Sequence, residues 1–131
     1  MANKPEHDLV GVLFGAAAAV ITSQAKDAGE ALQAAAAGAL GGLAGSRLPD
    51  TLEPPTHPGH RSLFHGVAAN GAAAYFGTKP LVKWRLRTTD PNGDRDPAAR
   101  LVSAFAVGAA TGHASHILLD STTPKGLPWI A

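Results

Sequence analysis

Two histidines and an aspartate recur at helical spacing near the end of the chain. His113, His116 and Asp120 are separated by three and four residues, which places them on one stripe of a helix. The surrounding residues are apolar, and polar side chains buried there need partners. A divalent cation would satisfy imidazole nitrogen and carboxylate oxygen together. An equally open alternative is that Asp120 ends the helix and hydrogen-bonds to His116, a common structural pairing.

A second pair of histidines, His60 and His65, follows a proline-rich segment. Five residues of spacing cannot point both rings the same way within one ideal helix. We therefore expect His60 in a loop and His65 in the first turns of the next helix, so that both rings converge. Arg61 carries forked donors suited to a phosphate or a carboxylate. A salt bridge from Arg61 to Asp50 or Glu53 is an equally good interpretation.

Asp50 and Glu53 lie in the segment 48–59, which contains several prolines. Proline disrupts helices, so we expect a stiff loop here. Carboxylate oxygens on such a loop suit a hard metal ion or an activated water, although an exposed loop position is the commoner fate of a single acid. The sequence contains neither a nucleophile elbow nor a phosphate-binding P-loop.

Ala and Gly dominate the apolar stretches, because 45% of the 131 residues are hydrophobic and only 5% are aromatic. Alanine-rich runs without alternation favour helices over strands. The sequence predicts an all-α, compact bundle of about four helices in a single domain, 1–131. The four helices are expected at about 8–24, 28–44, 60–76 and 97–119. The third is expected to bend or end near Pro80, and residues 80–87 could continue it as a short helix. Asp96 is the expected N-cap of the last helix, with Pro97 at its first position.

Charge and composition limit the kinds of partner and of metal ligand that the chain can use. A formal charge of +1 gives no electrostatic footprint for nucleic acid, and the absence of Cys leaves His, Asp and Glu as metal ligands. The N-terminus lacks the pattern of a signal peptide, and the apolar run 9–22 is shorter than the roughly 20 residues of a spanning helix. The sequence therefore predicts that the protein is inner-membrane-associated or cytoplasmic. The small-residue run from Gly38 to Gly45 predicts a homo-oligomer or contact with a membrane surface.

Two long motifs resemble a known family. Residues 45–65 contain Pro-Asp-Thr-Leu-Glu and His-Arg-Ser-Leu-Phe-His, and residues 112–126 contain Ser-His-Ile-Leu-Leu-Asp-Ser-Thr-Thr-Pro-Lys-Gly. These segments resemble the membrane-bound metal-dependent hydrolases, also described as LexA-binding, inner-membrane-associated hydrolases. The resemblance covers nearly the whole chain. That family has a His just before its first apolar helix, and His7 matches it, whereas the residues alone do not single out His7.

The resemblance implies an α-helical fold and a metal site similar in style to that of zinc-dependent phospholipase C. Carried over by position, it implies the metal ligands His7, Asp50, His60, His65, His116 and Asp120. The sequence departs from the family at Gly66, where Ser is usual, and at His113, where an aromatic residue is common.

Two functions from different classes fit these residues. The first is a hydrolase in which zinc, manganese or another divalent ion activates water against a phosphoester, either a small molecule or a phospholipid head group. Asp50 or Glu53 would be its general base, and Arg61 would steady the anionic substrate. The second is a binding or assembly module in which a structural metal holds weakly packed alanine-rich helices together. A catalytic metal keeps an open coordination position, whereas a structural metal is closed off.

Overall fold

The computed structural model describes residues 4–54, 56 and 66–123, and this part of the chain contains four helices and no strand. The helices are α1 (Lys4–Ile21), α2 (Ala28–Leu52), α3 (Val67–Thr89) and α4 (Pro97–Ser121). The predicted all-α bundle of four helices is confirmed.

Aspartate side chains cap the N-terminal ends of α2 and α4. The carboxylate of Asp27 accepts a hydrogen bond from the Glu30 backbone N–H at 2.8 Å. Asp96 accepts from the backbone N–H groups of Ala98 and Ala99, and Pro97 occupies the first turn. Such caps satisfy the N–H groups that have no partner inside a helix. The predicted start of α4 is therefore confirmed, together with its capping residue.

The second helix is longer than predicted. It continues through Pro49 to Leu52, so the prediction of a loop beginning at residue 48 is wrong and Asp50 lies on a helix. Pro49 removes a single hydrogen bond close to the end of the helix, and its carbonyl still accepts from the Glu53 N–H at 2.9 Å.

The other boundaries also differ. Helix α3 runs through Pro80 to Thr89, so the predicted end or bend there does not terminate it. The predicted start of this helix at His60 lies outside the described residues. Helix α1 begins at Lys4, which puts His7 in its first turns and not before it. Helix boundaries are the least reliable part of any assignment from sequence.

Helices α1, α2 and α4 pack through glycine, with almost no side chain between them. A methyl group built on Gly42 would lie 2.8 Å from the carbonyl carbon of Gly11 on α1. One built on Gly45 would lie 2.8 Å from the Cα of Ala109 on α4. Buried hydrophobic side chains in the described part of the chain are correspondingly small: Ala19, Ala34, Ala104 and Val107. Helices with small residues at the interface can bring their backbones into contact.

This packing changes the basis of one prediction. The run from Gly38 to Gly45 was expected to face another chain or a membrane, but its glycines contact α1 and α4 of the same chain. The homo-oligomer stays a prediction that these contacts do not support.

Helix α3 packs chiefly against α4, and its Arg85 also reaches the end of α1. This side chain is 1% exposed and donates to the carbonyls of Ala19 and Arg100, both at 2.9 Å. It also donates to the hydroxyls of Ser103 at 3.0 Å and Thr22 at 3.2 Å. Buried charge is tolerated when its donors are satisfied in this way. Arg85 thus joins the end of α1, the end of α3 and the start of α4.

The glycine contacts predict a contrast between two Gly→Ala substitutions. Gly42→Ala forces the backbones of α1 and α2 apart, and overpacking of this kind costs about 1–3 kcal/mol. Gly77→Ala is the control, because nothing lies within 4 Å of the added methyl group. Alanine is also more stable than glycine in a helix interior by about 0.5–1 kcal/mol. Thermal unfolding followed by circular dichroism should give a lower Tm for the first variant and an equal or higher Tm for the second. Equal Tm values would contradict the close approach.

Candidate metal centre

His116 is held in one orientation by the backbone of α2. Its ring lies on the buried face of α4, and its Nδ1 is 2.6 Å from the carbonyl oxygen of Ser46. A carbonyl only accepts hydrogen bonds, so Nδ1 carries the proton and Nε2 of the neutral ring is an acceptor. Metal-binding histidines are commonly oriented by a carbonyl in this manner. The Nε2 atom is therefore the nitrogen that faces the carboxylates of Asp50 and Asp120.

Asp120 lies one turn after His116 and faces two imidazole rings. Its Oδ2 is 3.5 Å from Nε2 of His116, and its Oδ1 is 3.5 Å from Nε2 of His7. The three residues are 1–4% exposed. One buried carboxylate is thus shared between two imidazole nitrogens from different helices.

His7 reaches this carboxylate from the first turns of α1. Its ring stacks on that of His116, with centroids 3.9 Å apart and planes inclined by 22°. Burial lowers the pKa of His7, and the neighbouring His116 acts in the same direction, so the neutral ring is favoured. The buried Nδ1 of His7 has no hydrogen-bond partner among the described residues. A neutral imidazole is the form that binds metal ions.

Asp50 lies at the more open side of the group. Its Oδ1 is 3.8 Å from Nε2 of His116, and its side chain is 20% exposed against 3% for Asp120. Because α2 continues to Leu52, Asp50 lies one turn after Ser46 and shares its helix face. His7, Asp50, His116 and Asp120 together form what we call the His–Asp cluster.

The spacing within the His–Asp cluster fits a divalent cation. Zinc bonds nitrogen and oxygen ligands at about 2.0–2.1 Å in a tetrahedron, which separates neighbouring ligand atoms by about 3.4 Å. The two separations from Asp120 to the imidazoles are both 3.5 Å, one from Oδ1 and the other from Oδ2 of the carboxylate. Hydrogen bonds between nitrogen and oxygen are shorter, at about 2.9 Å. One nitrogen from each imidazole and a carboxylate oxygen of Asp120 lie within 4.8 Å of one another.

An ion pair ties α1 to α2 beside the cluster. The guanidinium of Arg47 donates to both carboxylate oxygens of Asp8, at 2.7 and 2.8 Å. Asp8 lies inside α1 and pairs with Arg47 across the α1–α2 interface. Asp8 follows His7, and Arg47 follows Ser46, whose carbonyl orients His116. The ion pair therefore links α1 and α2 directly beside these two residues.

The structure brings together some of the predicted site residues. His7, Asp50, His116 and Asp120 lie in the cluster, and Glu53 follows as the C-cap of α2. His60, Arg61 and His65 lie outside the described residues, so their predicted roles stay predictions. His113, on the predicted stripe, contacts the side chain of Asn70 on α3.

The orienting carbonyl of Ser46 was not predicted. Backbone groups have no signature in the residue types. Its position one turn before Asp50 is the only signal that sequence could have offered.

The fold and the cluster define an all-α protein with a buried donor set of histidine and aspartate at one end of its bundle. A family model described as YdjM inner membrane protein matches residues 1–131. The chain therefore belongs to the YdjM inner membrane protein family, and the predicted inner-membrane association is confirmed. No curated protein and no solved structure gives a significant match.

One helix in the described part of the chain, α4, is long and apolar enough to cross a membrane by length and composition. Only 39% of its apolar window is buried within the protein. The buried helix of a water-soluble bundle can have the same composition, so this finding agrees with the family without determining how the chain meets the membrane.

The geometry predicts the tautomer of His116. In protein treated with a chelator, long-range ¹H–¹⁵N spectra should show His116 protonated at Nδ1, because the Ser46 carbonyl accepts that proton. The resonance would be assigned with His116→Gln. A neutral ring protonated at Nε2 would contradict the orientation described above.

Proposed function

We propose that this protein is a metal-dependent hydrolase acting on a phosphoester, with a divalent cation held by the His–Asp cluster. The observation that carries the proposal is the position of the Asp120 carboxylate, 3.5 Å from an imidazole nitrogen on each of two helices. The resemblance of residues 45–65 and 112–126 to membrane-bound metal-dependent hydrolases supports it independently. Zinc suits this mixed nitrogen and oxygen donor set, and manganese is the next choice.

Three residues would hold the ion and a fourth would border the open side. His7, His116 and Asp120 are buried ligands, and Asp50 is either a further ligand or a base. His60 and His65 complete the ligand set by resemblance. A divalent cation bound here would lower the pKa of water and neutralise charge on a phosphoryl oxygen.

The chain's own residues would handle the proton and the substrate. Asp50 or Glu53 would take the proton from the attacking water: Asp50 borders the open side of the cluster, and Glu53 follows it as the C-cap of α2. Arg61 is assigned by sequence to the anionic substrate, because its forked donors match phosphate oxygens. A phosphoester of a small molecule or of a lipid is the substrate class that these groups favour.

A structural metal is the second candidate, and one observation favours it. The bundle buries mainly Ala and Gly, which contribute little apolar area, and the cluster joins α1, α2 and α4 at one end. A cation there would stabilise the bundle without any reaction. The protein would then serve as a binding or assembly module.

Metal binding is tested with two histidines of the same helix. His116→Ala should lose most of the bound metal and most of the rise in Tm caused by added zinc, because it removes an oriented ligand. His113→Ala is the matched control: it removes an imidazole one turn away that contacts Asn70, and metal content should stay unchanged. Elemental analysis by mass spectrometry measures both variants. Equal metal content in the two variants would exclude His116 as a ligand.

Catalysis is tested at the acids of α2. Glu53→Gln should keep metal content and fold, and should lower hydrolysis by about 10²–10⁴-fold if Glu53 is the base. Asp50→Asn should do the same if Asp50 is the base, and should lose metal if it is a ligand. The substrates are phosphomonoesters, phosphodiesters and phospholipids, with zinc or manganese present. A metal-loaded parent protein inert on all of them would favour the structural candidate.

A further inference from the structure

The large apolar side chains of this bundle lie on its outside. Within the described residues, the side chains buried between α1, α2 and α4 are mainly the small ones of Ala and Gly, whereas the outer faces of these helices carry leucine and phenylalanine. In a water-soluble domain, large side chains of this kind are the ones most often buried. The residues exposed by 38% or more on these three helices are Leu9, Leu13, Phe14, Val20, Ile21, Leu32, Leu40, Leu48, Leu52, Leu101, Val102, Phe105 and Leu118.

Charged residues are absent from one continuous band of the same three helices. No Asp, Glu, Lys or Arg occurs in 9–21 of α1, 31–46 of α2 or 101–119 of α4. At 1.5 Å per residue these stretches span about 20, 24 and 28 Å. The glycine contacts place them side by side, since Gly11 and Gly15 meet Gly42, and Gly42 meets Gly112. We call this band the apolar belt.

Charges border the apolar belt at both ends. At one end lie the Asp8–Arg47 ion pair and the His–Asp cluster, which we call the site rim. At the other end Glu30 pairs with Arg95 and Arg100, near the buried Arg85, and we call this end the arginine rim. A bilayer has a hydrocarbon core of about 30 Å between polar interfaces, and membranes thin locally around shorter apolar surfaces.

The basic residues are distributed unequally between the rims. Of the nine Lys and Arg residues in the described part of the chain, seven fall at or near the arginine rim. These are Lys26, Lys79, Lys83, Arg85, Arg87, Arg95 and Arg100. Lys79 and Lys83 lie within two helical turns of Arg85. A lysine side chain can extend along the helix, so that its ammonium group reaches the polar interface of the membrane at the arginine rim. Loops on the cytoplasmic side of a membrane carry the excess of Lys and Arg.

The family is one of inner membrane proteins, and for this bundle we infer its orientation in the bilayer: the apolar belt lies against lipid acyl chains and the arginine rim lies on the cytoplasmic side. The site rim then lies at the headgroup level of the opposite leaflet. This arrangement goes beyond the proposed function and does not depend on it, because neither the belt nor the charge distribution involves a metal ion. If the proposed function also holds, the open side of the cluster at Asp50 faces lipid headgroups.

The absence of Cys from the sequence makes the test direct, since one introduced thiol is then the only one. Three exposed positions are replaced singly in the full chain. Thr56→Cys lies beyond the site rim, Asp94→Cys lies beside the arginine rim, and Leu40→Cys lies in the middle of the apolar belt, where the native side chain is 64% exposed. Each variant is treated with a membrane-impermeant maleimide in intact spheroplasts, in opened membranes and after denaturation in detergent.

Thr56→Cys should be labelled in intact spheroplasts, Asp94→Cys only in opened membranes, and Leu40→Cys only after denaturation. Any other order for the two rim positions overturns the orientation. Labelling of Leu40→Cys in opened membranes overturns the lipid contact. So does a protected Leu40→Cys in a protein that alkaline carbonate releases from the membrane, because a second copy would then cover the belt. Metal content measured on the same variants keeps a failure here separate from a failure of the proposed function.

Discussion

The contact of three helix backbones at glycine is the constraint on which the rest of this structure depends. Gly11, Gly42 and Gly112 meet with no space for a methyl group, so the axes of α1, α2 and α4 have little freedom relative to one another. His7 precedes Gly11 by four residues, while Ser46 and His116 follow Gly42 and Gly112 by four. Residues four apart share a helix face. The metal-centre residues therefore continue the glycine faces by one turn, and the same packing that closes the bundle brings them together.

Polar groups terminate this small-residue interface at both ends, but in chemically different ways. Arg85 is buried with neutral acceptors around its guanidinium, and its hydrogen bonds join three helices. The opposite end presents nitrogen and carboxylate lone pairs to one another at 3.5 Å. The first arrangement is satisfied by the protein itself. The second sets carboxylate oxygens opposite imidazole nitrogens, and the proposed metal site rests on these donor types.

Local signals in the sequence predicted the parts of this fold that local interactions determine. The Asp96–Pro97 start of α4 follows from its own capping bonds. Pro49 misled the prediction because its cost depends on its place near a helix end. The stripe on α4 was partly predictive: His113, His116 and Asp120 all lie within about 60° of one another around the helix, yet only His116 and Asp120 join the cluster. His113 lies two turns before Asp120 and contacts Asn70 on α3, and only the tertiary arrangement shows this.

The choice between a ligand-binding cluster and an ordinary buried polar contact depends on His7. A structural histidine would be expected to place its ring nitrogens in short hydrogen bonds, since an unsatisfied buried donor costs about 1–3 kcal/mol. In His7 the Nε2 atom is 3.5 Å from Asp120, and Nδ1 has no partner among the described residues. An apolar ring of similar size would pack against His116 without that cost. These two observations support the ligand role proposed for His7.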